Sequence, residues 1–173
     1  PTATATTACG AASARPIWAD ATRKCLERQT RTLCNNSLTH IINVDYIFEL
    51  TMKVRDYECD LQGIVNNANY QHYIEHTRHE FLRAHGVSFA DLHDRGIDAV
   101  VARLNMAFKL PLRSGDSFVS RLALRKEGIK YVFVQDIFRL PDERPVIRAT
   151  VDTVCLTDGK LGDCEELNRI FNL

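Results

Sequence analysis

The chain has 173 residues, 45% of them hydrophobic, and 22 Lys+Arg balance 22 Asp+Glu. That length fits one domain plus a tail, and the apolar share suffices for a sizeable core. Zero net charge argues against nucleic acid or an anionic membrane as the main partner, and no apolar run approaches the ~20 residues that cross a bilayer.

Residues 1–44 open Pro-Thr-Ala-Thr-Ala-Thr-Thr-Ala and carry five bases (Arg15, Arg23, Lys24, Arg28, Arg31) against two acids (Asp20, Glu27). A secretory signal needs a compact apolar stretch, which is absent here. An Arg-rich, hydroxyl-rich, acid-poor segment reads instead as an organellar transit peptide. The alternative is a disordered tail. Of the six cysteines (Cys9, Cys25, Cys34, Cys59, Cys155, Cys164), none forms a CxxC pair. Free thiols in a reducing compartment are the expectation.

The folded part is expected over residues 45–160. Residues 48–55 alternate, with Phe48, Leu50, Met52 and Val54 on one face and Glu49, Thr51, Lys53 and Arg55 on the other, the mark of a half-buried strand. Asp60 closes this strand pattern, and a turn at Gly63 follows. By strand parity Cys59 faces away from Asp60, so Cys59 reads as structural. Glu58 shares the Asp60 side and is placed to support the site, though a surface role is the expectation.

Residues 67–84 then place Tyr70, Tyr73, Ile74, Thr77 and Phe81 at helical spacing. Gly86 ends this helix, and Ser88 caps a short one from Phe89 to Arg95. Strands are predicted at 97–109, 117–126, 129–140 and 146–157, separated by the turn-rich Pro111-Leu-Arg-Ser-Gly-Asp116, by Gly128, and by Pro141-Asp-Glu-Arg-Pro145. The expected class is α+β, one antiparallel sheet of about five strands with a long helix against one face. Residues 161–173 read as a C-terminal tail, amphipathic at best.

The chemistry concentrates in Asp60-Leu-Gln-Gly63-Ile-Val-Asn66-Asn67-Ala-Asn-Tyr70. A carboxylate stands just before a helix start, where backbone N–H groups lack intrahelical acceptors. Acyl transfer needs both parts: a base or nucleophile, and donors for the carbonyl oxygen. The bland alternative is a turn or capping aspartate. His72, His76 and His79 lie together on the helix, but opposite the apolar stripe and not in the order His-Glu-x-x-His, so no metal site is assigned. Glu75 is the rival acid, with an ion pair to Arg78 as its ordinary reading. Arg113 sits in a Gly-containing loop near other bases, placed for a phosphate or an acidic carrier protein.

The Asp60 motif is similar to that of the 4-hydroxybenzoyl-CoA thioesterase branch of the hotdog fold, in which an antiparallel sheet wraps a central helix. The resemblance continues through Tyr73, Glu75, Arg78 and Glu80-Phe-Leu82 to Phe108-Lys-Leu-Pro111-Leu-Arg-Ser-Gly-Asp116. Lys53-Val-Arg-Asp-Tyr57, Val65-Asn-Asn-Ala68 and Arg78-His-Glu-Phe-Leu82 resemble the plant acyl-lipid thioesterases of the methylketone-synthase-2 type. The resemblance implies a plastid stromal enzyme that releases fatty or 3-ketoacyl chains from acyl carrier protein. A cytoplasmic acyl-CoA thioesterase is the alternative, and a non-catalytic acyl-binding module ranks below both. It implies Asp60 as catalytic carboxylate, the Asn67 backbone N–H and after it that of Asn66 as oxyanion donors, and Gly63, Tyr70 and Arg113 as substrate contacts. A homodimer or homotetramer is implied too, and no metal or organic cofactor. No catalytic His lies near Gly63, which ranks a hotdog dehydratase low.

Overall fold

The computed structural model describes residues 44–171. The transit-like segment, except Val44, lies outside the described residues, as do Cys9, Cys25 and Cys34. Six strands and three α-helices follow one another: β1 (Phe48–Lys53), α1 (Asn67–Ala84), α2 (Phe89–Asp94), β2 (Ile97–Phe108), β3 (Ser117–Glu127), β4 (Lys130–Arg139), β5 (Arg144–Thr157), β6 (Lys160–Gly162) and α3 (Glu165–Phe171). The strands form one antiparallel sheet in the order β1-β3-β4-β5-β2, with β6 added to β5.

The register explains why one face is apolar. Phe48, Leu50 and Met52 pair with Leu122, Ser120 and Phe118. Leu122 and Ser120 pair in turn with Gln135 and Ile137, which oppose Ala149 and Ile147. Every second residue therefore faces α1. A shift between Val101 and Arg103 in β2 adds one residue against β5 and bends that edge strand.

α1 lies on this face. Its buried residues are Tyr70, Tyr73, Ile74, Thr77, Arg78, Phe81 and Leu82, a wider stripe than the spacing alone marks out, because the sheet curves around the helix. Each large apolar side chain buried here contributes ~1.5–3 kcal/mol. Thr77 Oγ1 bonds to Ser120 Oγ at 2.8 Å, so the threonine hydroxyl in the stripe is matched from the sheet. Ser88 caps α2 as expected, its hydroxyl accepting from the Asp91 N–H.

Two expectations are corrected. Residues 161–171, expected as a C-terminal tail, join the domain: β6 extends the sheet, Cys164 is buried just before α3, and α3 buries Leu167 in the core. Arg78 does not pair with Glu75 as a surface ion pair. It is 8% exposed, and its Nη1 donates to Gln135 Oε1 at 2.8 Å while Gln135 Nε2 donates to the Ile74 carbonyl at 2.8 Å. Burial holds this guanidinium below its ordinary pKa, and the Glu75 charge opposes that.

Candidate active site

The turn before α1 is built on one backbone bridge, Cys59 opposite Val65. On one side of it the Asp60 N–H donates to the Ile64 carbonyl at 2.8 Å, and the Gly63 N–H returns to the Asp60 carbonyl at 2.9 Å. On the other side the Asn66 N–H donates to the Glu58 carbonyl at 2.9 Å. Asp60 and the start of α1 are thus tied to the same short ladder. Asp60 is half-buried, and its Oδ1 accepts the Gln62 N–H at 2.8 Å. Its Oδ2 has no partner among the described residues. The turn reading of Asp60 therefore describes one oxygen and leaves the other open.

Asn66 is the N-cap, its Oδ1 accepting the Ala68 N–H at 2.9 Å. Because its own N–H is spent on Glu58, Asn66 is not an available oxyanion donor in this protomer. The Asn67 N–H has no acceptor among the described residues, as the first N–H of a helix should not. Of the two expected donors, one remains.

Glu58 was missed as a structural centre. Residues Asp56–Glu58 form a 3-10 turn, so strand parity does not apply, and Glu58 is 7% exposed rather than on the surface. Its carboxylate accepts from the Tyr73 hydroxyl at 2.7 Å and from the Arg55 N–H at 2.7 Å. Its carbonyl accepts from Asn66 and from Asn69 Nδ2, the latter at 2.7 Å. One residue thus clamps the Asp60 turn to α1. A readable signal was Tyr73 itself: a phenol on the buried stripe needs a polar partner.

Gly63 has φ +71, a backbone conformation that L side chains rarely adopt, and an added Cβ would meet only Arg113 Nη1, at 3.9 Å. Gly63→Ala is accordingly expected to cost ~1–2 kcal/mol through backbone strain alone, read as a lower denaturant midpoint. Arg113 is exposed and lies beside Gly63, so the structure brings these two together. Tyr70 is placed differently. It is 3% exposed, and its hydroxyl oxygen accepts the Leu112 N–H at 3.1 Å. Together with the Val65 N–H donating to the Leu112 carbonyl at 2.9 Å, Tyr70 anchors the Arg113 loop from behind.

Glu75 is exposed on α1, eight residues past Asn67 and hence ~12 Å along the axis. Its nearest ion partner is His72, at 3.9 Å. The structure does not bring it to the Asp60 turn. His72 and His76 stay on the exposed side, but His79 is half-buried, its ring 4.7 Å from that of Phe89. Burial holds the His79 imidazole below its ordinary pKa. Cys59, Cys155 and Cys164 are free thiols, and Cys59 packs against the core.

Residues 54–163 match the family model of the Thioesterase-like superfamily. The chain belongs to this superfamily. The match takes in the whole Asp60 turn, α1 and β2–β5. Among curated proteins the chain is 40% identical over 102 residues to the chloroplastic acyl-acyl carrier protein thioesterase ATL3 of Arabidopsis thaliana, covering 58% of this chain and 54% of that protein. It is 31% identical over 109 residues to a putative esterase of Aquifex aeolicus, covering 63% and 84%. The chain spans little more than half the length of the Arabidopsis relatives it matches. Among solved structures, a hypothetical protein from Aquifex aeolicus is similar at TM-score 0.67 and 29% identity, over 71% of this chain and 98% of that one. A 1,4-dihydroxy-2-naphthoyl-CoA thioesterase from Synechocystis shares the fold at TM-score 0.67 and 16% identity, over 73% and 96%. The sheet wrapped on α1 is the hotdog fold of these proteins.

Proposed function

We propose that this protein hydrolyses acyl thioesters, with fatty or 3-ketoacyl chains on acyl carrier protein as substrate and a free acid as product. The observation that carries the reading is the Asp60 turn: a carboxylate with one open oxygen, tied by a backbone ladder to a helix start whose first N–H is unpaired. A thioester carbonyl oxygen on the Asn67 N–H would gain charge as the carbon is attacked, and the fixed N–H stabilises that charge without reorganisation. Asp60 then acts in one of two ways. It attacks the carbon, forming a mixed anhydride as the C–S bond breaks and the thiolate leaves, and water hydrolyses the anhydride. Otherwise it takes a proton from water, whose oxygen bonds to the carbon as the C–S bond breaks and the thiolate leaves. Both routes use the same two groups, and neither requires a metal.

The 40% identity to an acyl-carrier-protein thioesterase and the exposed Arg113 beside the turn support an anionic carrier or its phosphate arm as partner. Plastid residence is proposed from the acid-poor N-terminal segment and from the chloroplastic relatives. No described helix is long and apolar enough to cross a membrane. Self-association is proposed through β2, which pairs on one edge only and exposes Val101 and Phe108 by 52% and 54%. Light scattering should give at least twice the protomer mass, and a monomer would exclude it. The substrate test supplies one acyl chain on both carriers. Higher kcat/KM on acyl carrier protein is expected, and a strong preference for CoA would replace the first substrate by the second.

A further inference from the structure

Between α1 and the β2–β5–β4 part of the sheet lie two cavities, of ≈ 180 and ≈ 190 Å³. The first touches Gln71, Leu104 and Val151, one turn beyond Asn67. The second touches Leu82, Leu167, Phe133 and Phe171. Glu75, Arg78 and Val101 line both, so the two are successive chambers of one slot. From Gln71 to Leu82 the helix rises ~16 Å, which gives the slot its length. The Arg78 head is turned to Gln135.

The far chamber ends at α3. The Phe171 ring stacks on Phe81 of α1, at 5.6 Å between centroids and 19° between planes, and it meets Tyr131 and Phe133 of β4 edge-on at 5.9 and 6.2 Å. One ring therefore spans the gap from helix to sheet. The wall is held in place, because the Tyr131 hydroxyl reaches Asn168 Oδ1 at 2.8 Å and the Cys164 carbonyl at 3.0 Å, and Leu167 is 2% exposed. The far end of the lining is apolar, with Leu82, Phe133, Leu167 and Phe171; of the polar residues beside it, the buried Arg78 turns its head to Gln135, Thr153 keeps a buried hydroxyl with no partner among the described residues, and Glu75, His79 and Asp98 occupy half-buried or exposed positions. Such a slot suits an alkyl chain with its methyl end innermost.

We propose that α3 is the length gauge of the acyl chain, with Phe171 as the residue against which the methyl end stops. This rests on the thioesterase reading above. The test uses the full chain and an even-numbered series of saturated acyl chains, each carried on acyl carrier protein and on CoA. It is repeated with the matching free fatty acids, whose binding is read as a rise in melting temperature and needs no turnover. In Phe171→Ala, and to a lesser degree in Phe171→Leu, the preferred chain should lengthen by about two carbons. The kcat/KM ratio of the longer chain to the wild-type optimum should rise about tenfold, the scale of one or two methylenes in an apolar pocket. Phe171→Trp should shorten the optimum. The fatty-acid series should shift in parallel. Profiles of Phe171→Ala and Phe171→Leu that superimpose on wild type in fatty-acid binding overturn the gauge. Absence of thioester hydrolysis with a shifted fatty-acid profile would instead refute the hydrolase reading and retain the gauge.

Discussion

Asp60→Asn should lower kcat for acyl-thioester hydrolysis at least ~100-fold while leaving the melting temperature close to wild type, since removal of a positioned base or nucleophile costs that much or more. The substitution separates the turn role of Asp60 from its chemical one. Asparagine keeps the Oδ1 that accepts the Gln62 N–H, so the turn survives. What it loses is the negative charge and nucleophilicity of the second oxygen. KM should change little, because the group acts on the reacting carbon rather than on the distant chain. Activity within a few-fold of wild type would leave Asp60 as a turn residue and nothing more.

Glu58→Ala should destabilise the fold by ~3–5 kcal/mol, read from the shift in guanidinium unfolding midpoint. The substitution strips the acceptor from the Tyr73 hydroxyl and from the Arg55 N–H. Hydrogen bonds to a charged group are worth ~1.5–3 kcal/mol each, and the phenol is left unpaired where little water reaches. The contact from Arg55 Nη1 at 3.1 Å adds little, because that side chain is 65% exposed. Glu58→Gln retains a carbonyl acceptor and should lose less. A change below ~0.5 kcal/mol in Glu58→Ala, the range of ordinary surface positions, would show that Glu58 does not clamp the turn to α1.

The contrast between these two acids shows which features a sequence exposes. Regular elements write their period into the chain. α1 begins at Asn67 and ends at Ala84, as the Tyr70/Tyr73/Ile74/Thr77/Phe81 spacing requires, and β1 alternates as Phe48, Leu50 and Met52 do. The Asp60 turn was legible because Gly63 and the paired asparagines punctuate it. Glu58 was not, because a three-residue 3-10 turn has no period of its own, and a glutamate in a turn reads by residue type as a surface side chain. The loss of the Asn66 N–H follows from the same turn, which delivers the Glu58 carbonyl to it. The burial of Arg78 depends on Gln135, 57 residues away, a pairing that no local pattern encodes. α3 has only seven residues and acquires its apolar face from the partners it meets, Phe81, Tyr131 and Phe133.

The most direct test is a structure of the full chain bound to an acyl ketone analogue, in which a methylene replaces the thioester sulfur. The carbonyl oxygen should lie ~2.7–3.1 Å from the Asn67 backbone nitrogen, with an Asp60 carboxylate oxygen, or one water held by it, ~3–3.5 Å from the carbonyl carbon. A carbonyl seated elsewhere, with Asp60 still folded onto Gln62 and facing solvent, would contradict the account.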